Sequence, residues 1–313
     1  LTGVMTSEST PPRSRSSPVS FTFESTGTFP LFQKAVSGSI HHMDIPFIKM
    51  NGAGNDFIMV DNRDAQINLS KEQIARLCDR HRGIGGDGLI AAEPASNAES
   101  HLRMRYYNAD GGEAEMCGNG ARCFSRFGAK LLGINGSISF ETLAGQIHAE
   151  LRDQLVCLTM SAPHSHKEAT SLSVGASQLA VHFINTGVPH AVIPVSDLAQ
   201  CDVPGLGAGI RYHDHFAPKG TNANFIEPAS DTSCDLVVRT YERGVEGETL
   251  ACGTGVVASA LIHHLTTGKH SPIKVRVAGG DTMEVAFQKN NHGFHNVTLT
   301  GPADFVFSGN VTV

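Results

Sequence analysis

At 313 residues the chain is longer than one hydrophobic core usually organises, so two domains are expected. A formal charge of −6 argues against a general nucleic-acid binder, and no apolar run approaches the roughly 18 residues of a membrane span. Seven scattered cysteines, an odd number, do not resemble a disulfide framework and fit a reducing compartment.

Residues 1–42 are rich in Ser, Thr and Pro and have little periodicity. Met43 stands directly before the first well-patterned strand, Ile45 to Lys49. The segment reads as a disordered or non-native extension; a plastid transit peptide would need a clearer Arg-rich amphipathic pattern. Phe47 to Asp61 reads as strand, Gly-rich turn, strand, with Asn55 and Asp56 at the end of the turn. Ser70 then caps a helix, with Gln73 completing a capping box and Ile74, Leu77 and Cys78 on the buried face, as far as Gly83. Gly83-Ile-Gly-Gly-Asp-Gly88 matches a dinucleotide fingerprint in letters only, because a helix precedes it and an apolar strand, Leu89 to Ala92, follows.

The strand Leu102 to Tyr107 leads through Asn108-Ala-Asp-Gly-Gly to Cys117-Gly-Asn-Gly, at the start of a helix running to about Leu132. Alternating strands follow at Ser137 to Thr142, Gln146 to Leu151 and Leu155 to Met160. A second block opens near Pro163, with strands at Val181 to Thr186, Ala191 to Pro194, Asn222 to Ile226 and Cys234 to Tyr241, and a polar segment between the second and third. Glu242-Arg243-Gly244 then leads to Cys252-Gly-Thr-Gly at the head of a helix to about Thr267. Strands at Ile273 to Val277, Thr282 to Phe287, Asn296 to Leu299 and Phe305 to Phe307 close the chain. Strand, acidic Gly-containing turn, Cys-Gly-x-Gly, helix: the chain builds this twice, which argues for duplication.

A helix start leaves backbone N–H groups without partners and favours anions, so a cysteine there should ionise more readily than a free thiol at about 8.5. Two such thiols flanking a carbon next to a carboxylate can remove a proton on one face and deliver one on the other. The two helix starts would hold the carboxylate most strongly as charge flows into it, and neither metal nor cofactor is required. The other cysteines, Cys78, Cys123, Cys157, Cys201 and Cys234, read as small buried hydrophobes. The paired histidines, such as His41-His42 and His263-His264, lack accompanying ligands at metal spacing.

Six motifs in order, Gly-Ala-Gly-Asn-Asp-Phe57, Tyr-Asn-Ala-Asp-Gly111, Met-Cys-Gly-Asn-Gly-Ala-Arg-Cys123, Gly-Val-Pro-His190, Tyr-Glu-Arg-Gly244 and Ala-Cys-Gly-Thr-Gly255, make the chain resemble the diaminopimelate epimerases from Phe47 nearly to the C-terminus. The resemblance implies an α+β fold of two pseudo-symmetric domains, each a mainly antiparallel β-barrel or roll around a central helix. The divisions would be 43–161 with a returning C-terminal strand at about 302–313, and 162–301. It implies a cofactor-independent isomerase of LL- and meso-diaminopimelate, cytoplasmic and homodimeric, with Cys117 and Cys252 as the acid/base pair. Gly118, Asn119, Gly253 and Thr254 would donate backbone N–H groups to the reacting carboxylate. Asn55, Asn108, Asn222 and Arg243 would recognise the substrate's charged groups, with Arg243 on the distal carboxylate. Glu242 would bind an ammonium and, with His190, tune the thiols.

Taken singly, Asn55 and Asn108 read as turn residues, His190 as a packed ring and Glu242–Arg243 as a solvated pair. Gly88 and Val188 stand where some members carry Gln and Asn, which removes two side-chain contacts. The alternatives are a proline or hydroxyproline racemase-type enzyme of the same fold, and a thiol redox protein in which Cys117 and Cys252 form a reversible disulfide.

Overall fold

A computed structural model describes residues 43–313; the expected N-terminal extension, 1–42, lies outside the described residues. The first run of elements is β1 (Asp44–Gly52), β2 (Asn55–Asp61), α1 (Lys71–Cys78), β3 (Gly88–Glu93), β4 (Leu102–Asn108), β5 (Glu113–Ala114), α2 (Gly118–Leu132), β6 (Ser137–Thr142), β7 (Gly145–Arg152), β8 (Leu155–Thr159) and β9 (His164–Val174). The second is β10 (Ser177–Asn185), β11 (Pro189–Pro194), α3 (Val203–Arg211), β12 (Asn222–Pro228), β13 (Leu236–Glu242), β14 (Gly247–Thr249), α4 (Gly253–Thr267), β15 (Ile273–Val277), β16 (Thr282–Asn290), β17 (Gly293–Pro302) and β18 (Asp304–Thr312).

Strand pairing repeats with an offset of nine. Antiparallel β1–β2, parallel β2–β3 and antiparallel β3–β4 return as β10–β11, β11–β12 and β12–β13. The β4–β5 hairpin and the parallel β4–β6 pair return as β13–β14 and β13–β15. Then β6–β7 and β7–β8 return as β15–β16 and β16–β17. The cycle closes through β9 on β10 and β18 on β1, while β8 pairs with β17 and joins the two series. The duplication expected from the two cysteine stretches therefore extends to every strand.

Each series wraps one long helix. Helix α4 is apolar on all sides, and Val256, Val257, Ala258, Ala260, Leu261 and Ile262 are all buried, as an all-round hydrophobic helix must be. Helix α2 buries Ala121, Cys123, Phe124 and Phe127, each large apolar side chain stabilising the fold by about 1.5–3 kcal/mol. Both helices stop at a left-handed glycine, Gly133 and Gly268, whose N–H returns to the carbonyl four residues back.

The capping box at Ser70 forms as expected, with Gln73 N donating to Ser70 Oγ at 3.2 Å and Ser70 N to Gln73 Oε1 at 2.8 Å. The helix is shorter than the sequence suggests, ending at Cys78 rather than Gly83. Asp79 turns extended and its carboxylate accepts from the backbone of His81 and Arg82, which drops the chain into a turn. The Gly83–Gly88 stretch sits between this turn and β3, as the rejection of a nucleotide fingerprint requires. Helix α3 went unanticipated because Gly205, Gly207 and Gly209 dilute its helix propensity. Its signals are Asp202, which caps Gly205 N at 3.0 Å, and Pro204 in the first turn.

Candidate active site

The two cysteine-led helices begin alike. Cys117 caps α2 at φ −134°, ψ 123°, and Cys252 caps α4 at φ −120°, ψ 107°. Neither thiol caps its own helix, and neither first turn holds an acidic side chain, so both starts present N–H groups to an incoming anion. The two starts abut. Asn119, 3% exposed, donates from Nδ2 to the carbonyl of Ala251 at 3.1 Å, immediately before Cys252. The same Nδ2 donates to Asn55 Oδ1 at 2.6 Å, and Asn119 Oδ1 accepts from Arg122 at 2.8 Å, which fixes the amide's orientation.

On the α2 side Asn55 is engaged with the protein itself, since its Nδ2 donates to Asp87 Oδ2 at 2.9 Å. Asp87 and Asp56 are clamped by Arg80, and Asp56 also pairs with the buried Lys49 at 2.8 Å. Burial alone would lift the Asp56 carboxyl, but the hydrogen bonds from Arg80 and Lys49 prevail and hold it at about 2. Asn108 is exposed at the end of β4, opposite Gly88 in the β3–β4 ladder. A Cβ on Gly88 would lie 2.4 Å from the Tyr107 carbonyl and 2.6 Å from the Tyr106 ring, so the backbone and Tyr106 occupy the space a side chain would need.

On the α4 side Asn222 is likewise committed, donating to the Pro189 carbonyl at 3.0 Å and accepting from Arg243 N at 2.8 Å. It therefore holds the backbone of Arg243 in place. The Arg243 guanidinium donates to the Lys219 carbonyl at 3.2 Å and lines a cavity of about 570 Å³ with Lys167, Val188, Pro189 and Lys219. Thr186 Oγ1 donates to the Thr254 carbonyl at 2.9 Å and ties the Val188 turn to the first turn of α4. His190 is fully buried on β11, its Nδ1 3.1 Å from Asn224 Nδ2. Burial pushes its pKa down to about 3, so the ring is neutral near pH 7. Among the described residues no three His, Cys, Asp or Glu side chains converge as a metal site requires.

The thiols depart from the sequence expectation. Burial pushes Cys117 up, and the Gly120 and Asn119 N–H groups only moderate the rise. Burial also pushes Cys252, 6% exposed, up, and the Glu242 charge beside it adds to the shift. Ready ionisation at the helix starts is thus corrected: two turns of N–H dipoles do not replace the water removed from a thiolate. Glu242 is itself raised by burial, accepts from Thr249 Oγ1 at 3.0 Å and lies within reach of the Cys252 thiol. Glu242→Gln removes that neighbouring charge, so Cys252 should ionise at lower pH. Alkylation of Cys252 at pH 8, read by peptide mass spectrometry, should be faster in the variant; an equal or slower rate contradicts the assigned cause.

Arg122, Asp87, Thr186 and Asn224 were missed from the sequence. Arg122 lies inside a quoted motif and Thr186 directly before one, so proximity to those motifs was the available signal. Asp87 lies in the Gly83–Gly88 stretch read as a turn, and Asn224 had only its place in the Asn222–Ile226 strand.

The two nine-strand series, each wrapped around one long helix, make up the fold of the chain. It is shared with a phenazine biosynthesis protein of the PhzF family from Bacillus anthracis at TM-score 0.67 and 16% identity, over 87% of this chain and 100% of that one. The family model for diaminopimelate epimerase matches residues 47–163 and 182–306. The diaminopimelate epimerase of Aquifex aeolicus (strain VF5) is 42% identical over 279 residues, 85% of this chain and 97% of that protein. That of Chlorobaculum tepidum is 42% identical over 269 residues, 84% of this chain and 100% of that protein. The chain belongs to the diaminopimelate epimerase family and is an isomerase.

Proposed function

We propose that the protein interconverts LL- and meso-2,6-diaminopimelate, a step in lysine and peptidoglycan biosynthesis, by exchanging the α-hydrogen between Cys117 and Cys252. The observation that carries this is the abutment of two helix starts, each headed by a cysteine in the same backbone conformation. The substrate carboxylate binds the N–H groups at Gly118–Asn119 and Gly253–Thr254, where charge from the departing proton accumulates. One sulfur removes the α-proton as thiolate and the other, as thiol, protonates the opposite face, so the carbon inverts and the pair ends with its protonation exchanged.

Both thiols rest protonated in the buried site. The substrate ammonium brings the positive charge that favours a thiolate, and Glu242 is placed to bind that ammonium or to take the Cys252 proton. The Arg243 guanidinium, at the edge of the cavity of about 570 Å³, suits the distal carboxylate. Asn55, Asn119 and Asn222 serve by holding these groups in register rather than by free amide contacts. The halves 43–161 with 302–313, and 162–301, are the units that close on the substrate.

A second charged end favours diaminopimelate over a cyclic amino acid, which needs a closed apolar pocket. Redox sensing is disfavoured because it uses low-pKa, accessible thiols, whereas Cys252 is buried, Cys117 is half-buried and desolvation raises both. Homodimer formation has a suitable surface in β18, which pairs with β1 alone among the described residues and exposes Val306 and Phe307. A cytoplasmic location follows from the family reading alone; among the described residues no helix is long and apolar enough to cross a membrane. The test is solvent deuterium entry at the α-carbons of diaminopimelate under reducing conditions. Exchange with inversion is expected; binding without exchange would refute the reaction.

A further inference from the structure

We infer that Asn224 is a positioning residue that locks His190 in the Nε2–H tautomer, reserving one buried N–H donor for the negative charge that forms at the start of α4. The site of action rests on the reaction proposed above; the tautomer does not. Asn224 is fully buried on β12. Its Nδ2 donates to the Ala191 carbonyl at 2.9 Å and its Oδ1 accepts from Thr240 Oγ1 at 3.0 Å. A backbone carbonyl only accepts, so the amide has one orientation: its nitrogen faces Ala191 and its oxygen faces Thr240. The remaining hydrogen on that nitrogen points to His190 Nδ1 at 3.1 Å, which must then be the unprotonated ring nitrogen.

The ring proton is left on Nε2. That atom is buried and has no partner among the described residues. A buried donor without an acceptor costs about 1–3 kcal/mol, so its presence calls for a group that arrives later. The location indicates which. A Cβ added to Gly255, in the first turn of α4, would lie 2.3 Å from Asn224 Oδ1 and 3.3 Å from Cys252 Cβ. Asn224 therefore sits beneath the turn that carries Cys252, where only a glycine permits that approach, and it ties His190 to that turn through its Nδ2. Glu242, two residues along β13 from Thr240, projects from the same face of the sheet. A neutral imidazole donating from Nε2 stabilises an anion there without placing a fixed positive charge next to the thiols.

The protein with ¹⁵N-labelled histidine would be recorded by long-range ¹H–¹⁵N correlation, with His190 assigned as the signals lost in His190→Gln. A protonated Nε2 and an unprotonated Nδ1, constant from pH 8 to pH 5, are expected. Asn224→Asp should move a proton onto Nδ1 and lower kcat for inversion about 10–100-fold, with KM changed less than about twofold. His190→Gln, which can still present an N–H, should keep about tenfold more kcat than His190→Leu. If Asn224→Asp does not fold, the wild-type spectrum and the Gln/Leu pair decide. Protonated Nδ1 in the wild type, unchanged kcat in an Asn224→Asp protein with the switched tautomer, or equal kcat in the Gln and Leu variants would overturn the inference. A wild-type protein with the expected tautomer but no exchange on diaminopimelate would instead refute the proposed reaction and leave the tautomer standing.

Discussion

Cys117→Ala and Cys252→Ala are each expected to lower inversion of diaminopimelate by about 10³-fold or more, the range lost when a positioned acid or base is removed. The two sulfurs act on opposite faces of one carbon, so each variant keeps one partner and neither can complete the exchange. Residual deuterium entry should be one-sided: the surviving sulfur serves the epimer whose α-hydrogen it faces, and the two variants should prefer opposite epimers. The fold should persist, since Cys117 and Cys252 contribute no disulfide and no side-chain cap. Deuterium incorporation resolved by epimer, with circular dichroism as the check on folding, measures both points. Near-normal inversion in either variant would remove the two-thiol account. The wild-type rate should be bell-shaped in pH, because activity needs one sulfur protonated and the other not.

Arg122→Ala is expected to destabilise the protein by about 3 kcal/mol or more. Arg122 is wholly buried, and its guanidinium donates to the Pro302 carbonyl at 3.1 Å, the Gly52 carbonyl at 3.2 Å and Asn119 Oδ1 at 2.8 Å. It thus joins the head of α2 to the β1–β2 turn and to the passage from β17 into β18. Its removal takes the donor from two buried acceptors, Gly52 O and Asn119 Oδ1, each costing about 1–3 kcal/mol, and from the part-buried Pro302 carbonyl, and it leaves a cavity. Relief of the buried charge offsets part of that loss. Arg122→Met fills the cavity but leaves the same acceptors unpaired, so it should fall between Ala and wild type. Urea unfolding would measure the series, and an Arg122→Ala protein within about 1 kcal/mol of wild type would mean that charge burial cancels the hydrogen bonds. Both variants also leave Asn119 Oδ1 without its donor and loosen the amide between the helix starts, so they should lose inversion activity beyond any loss of folded protein.

The repeat was legible because it is written locally. Cysteine, glycines and an apolar helix recur at Cys117 and Cys252, and strands such as Ser137–Thr142 and Ile273–Val277 form over the residues that their alternation marks. The repeat also includes a helix that local pattern hides: α1 lies between β2 and β3, and its counterpart between β11 and β12 is α3, in a polar segment. Asp202 and Pro204 mark its start, but three glycines in nine residues mask it. The end of α1 was misplaced for a similar reason, since a side chain at Asp79 competes for backbone N–H groups that periodicity ignores.

What the sequence by itself determined is the placing of each thiol at a helix start, the apolar character of α4 and the membership of a family, all of which depend on residues close together along the chain. What only the tertiary structure decided is how those groups behave. Asn55 and Asn222 are spent on Asp87 and on the Arg243 backbone, Gly88 faces an occupied space, and both thiols are harder to ionise than a helix start alone would make them. Hydrogen-bond partners and loss of water are supplied by segments far away in the chain, and for a buried thiol the desolvation they impose exceeds the pull of its own helix.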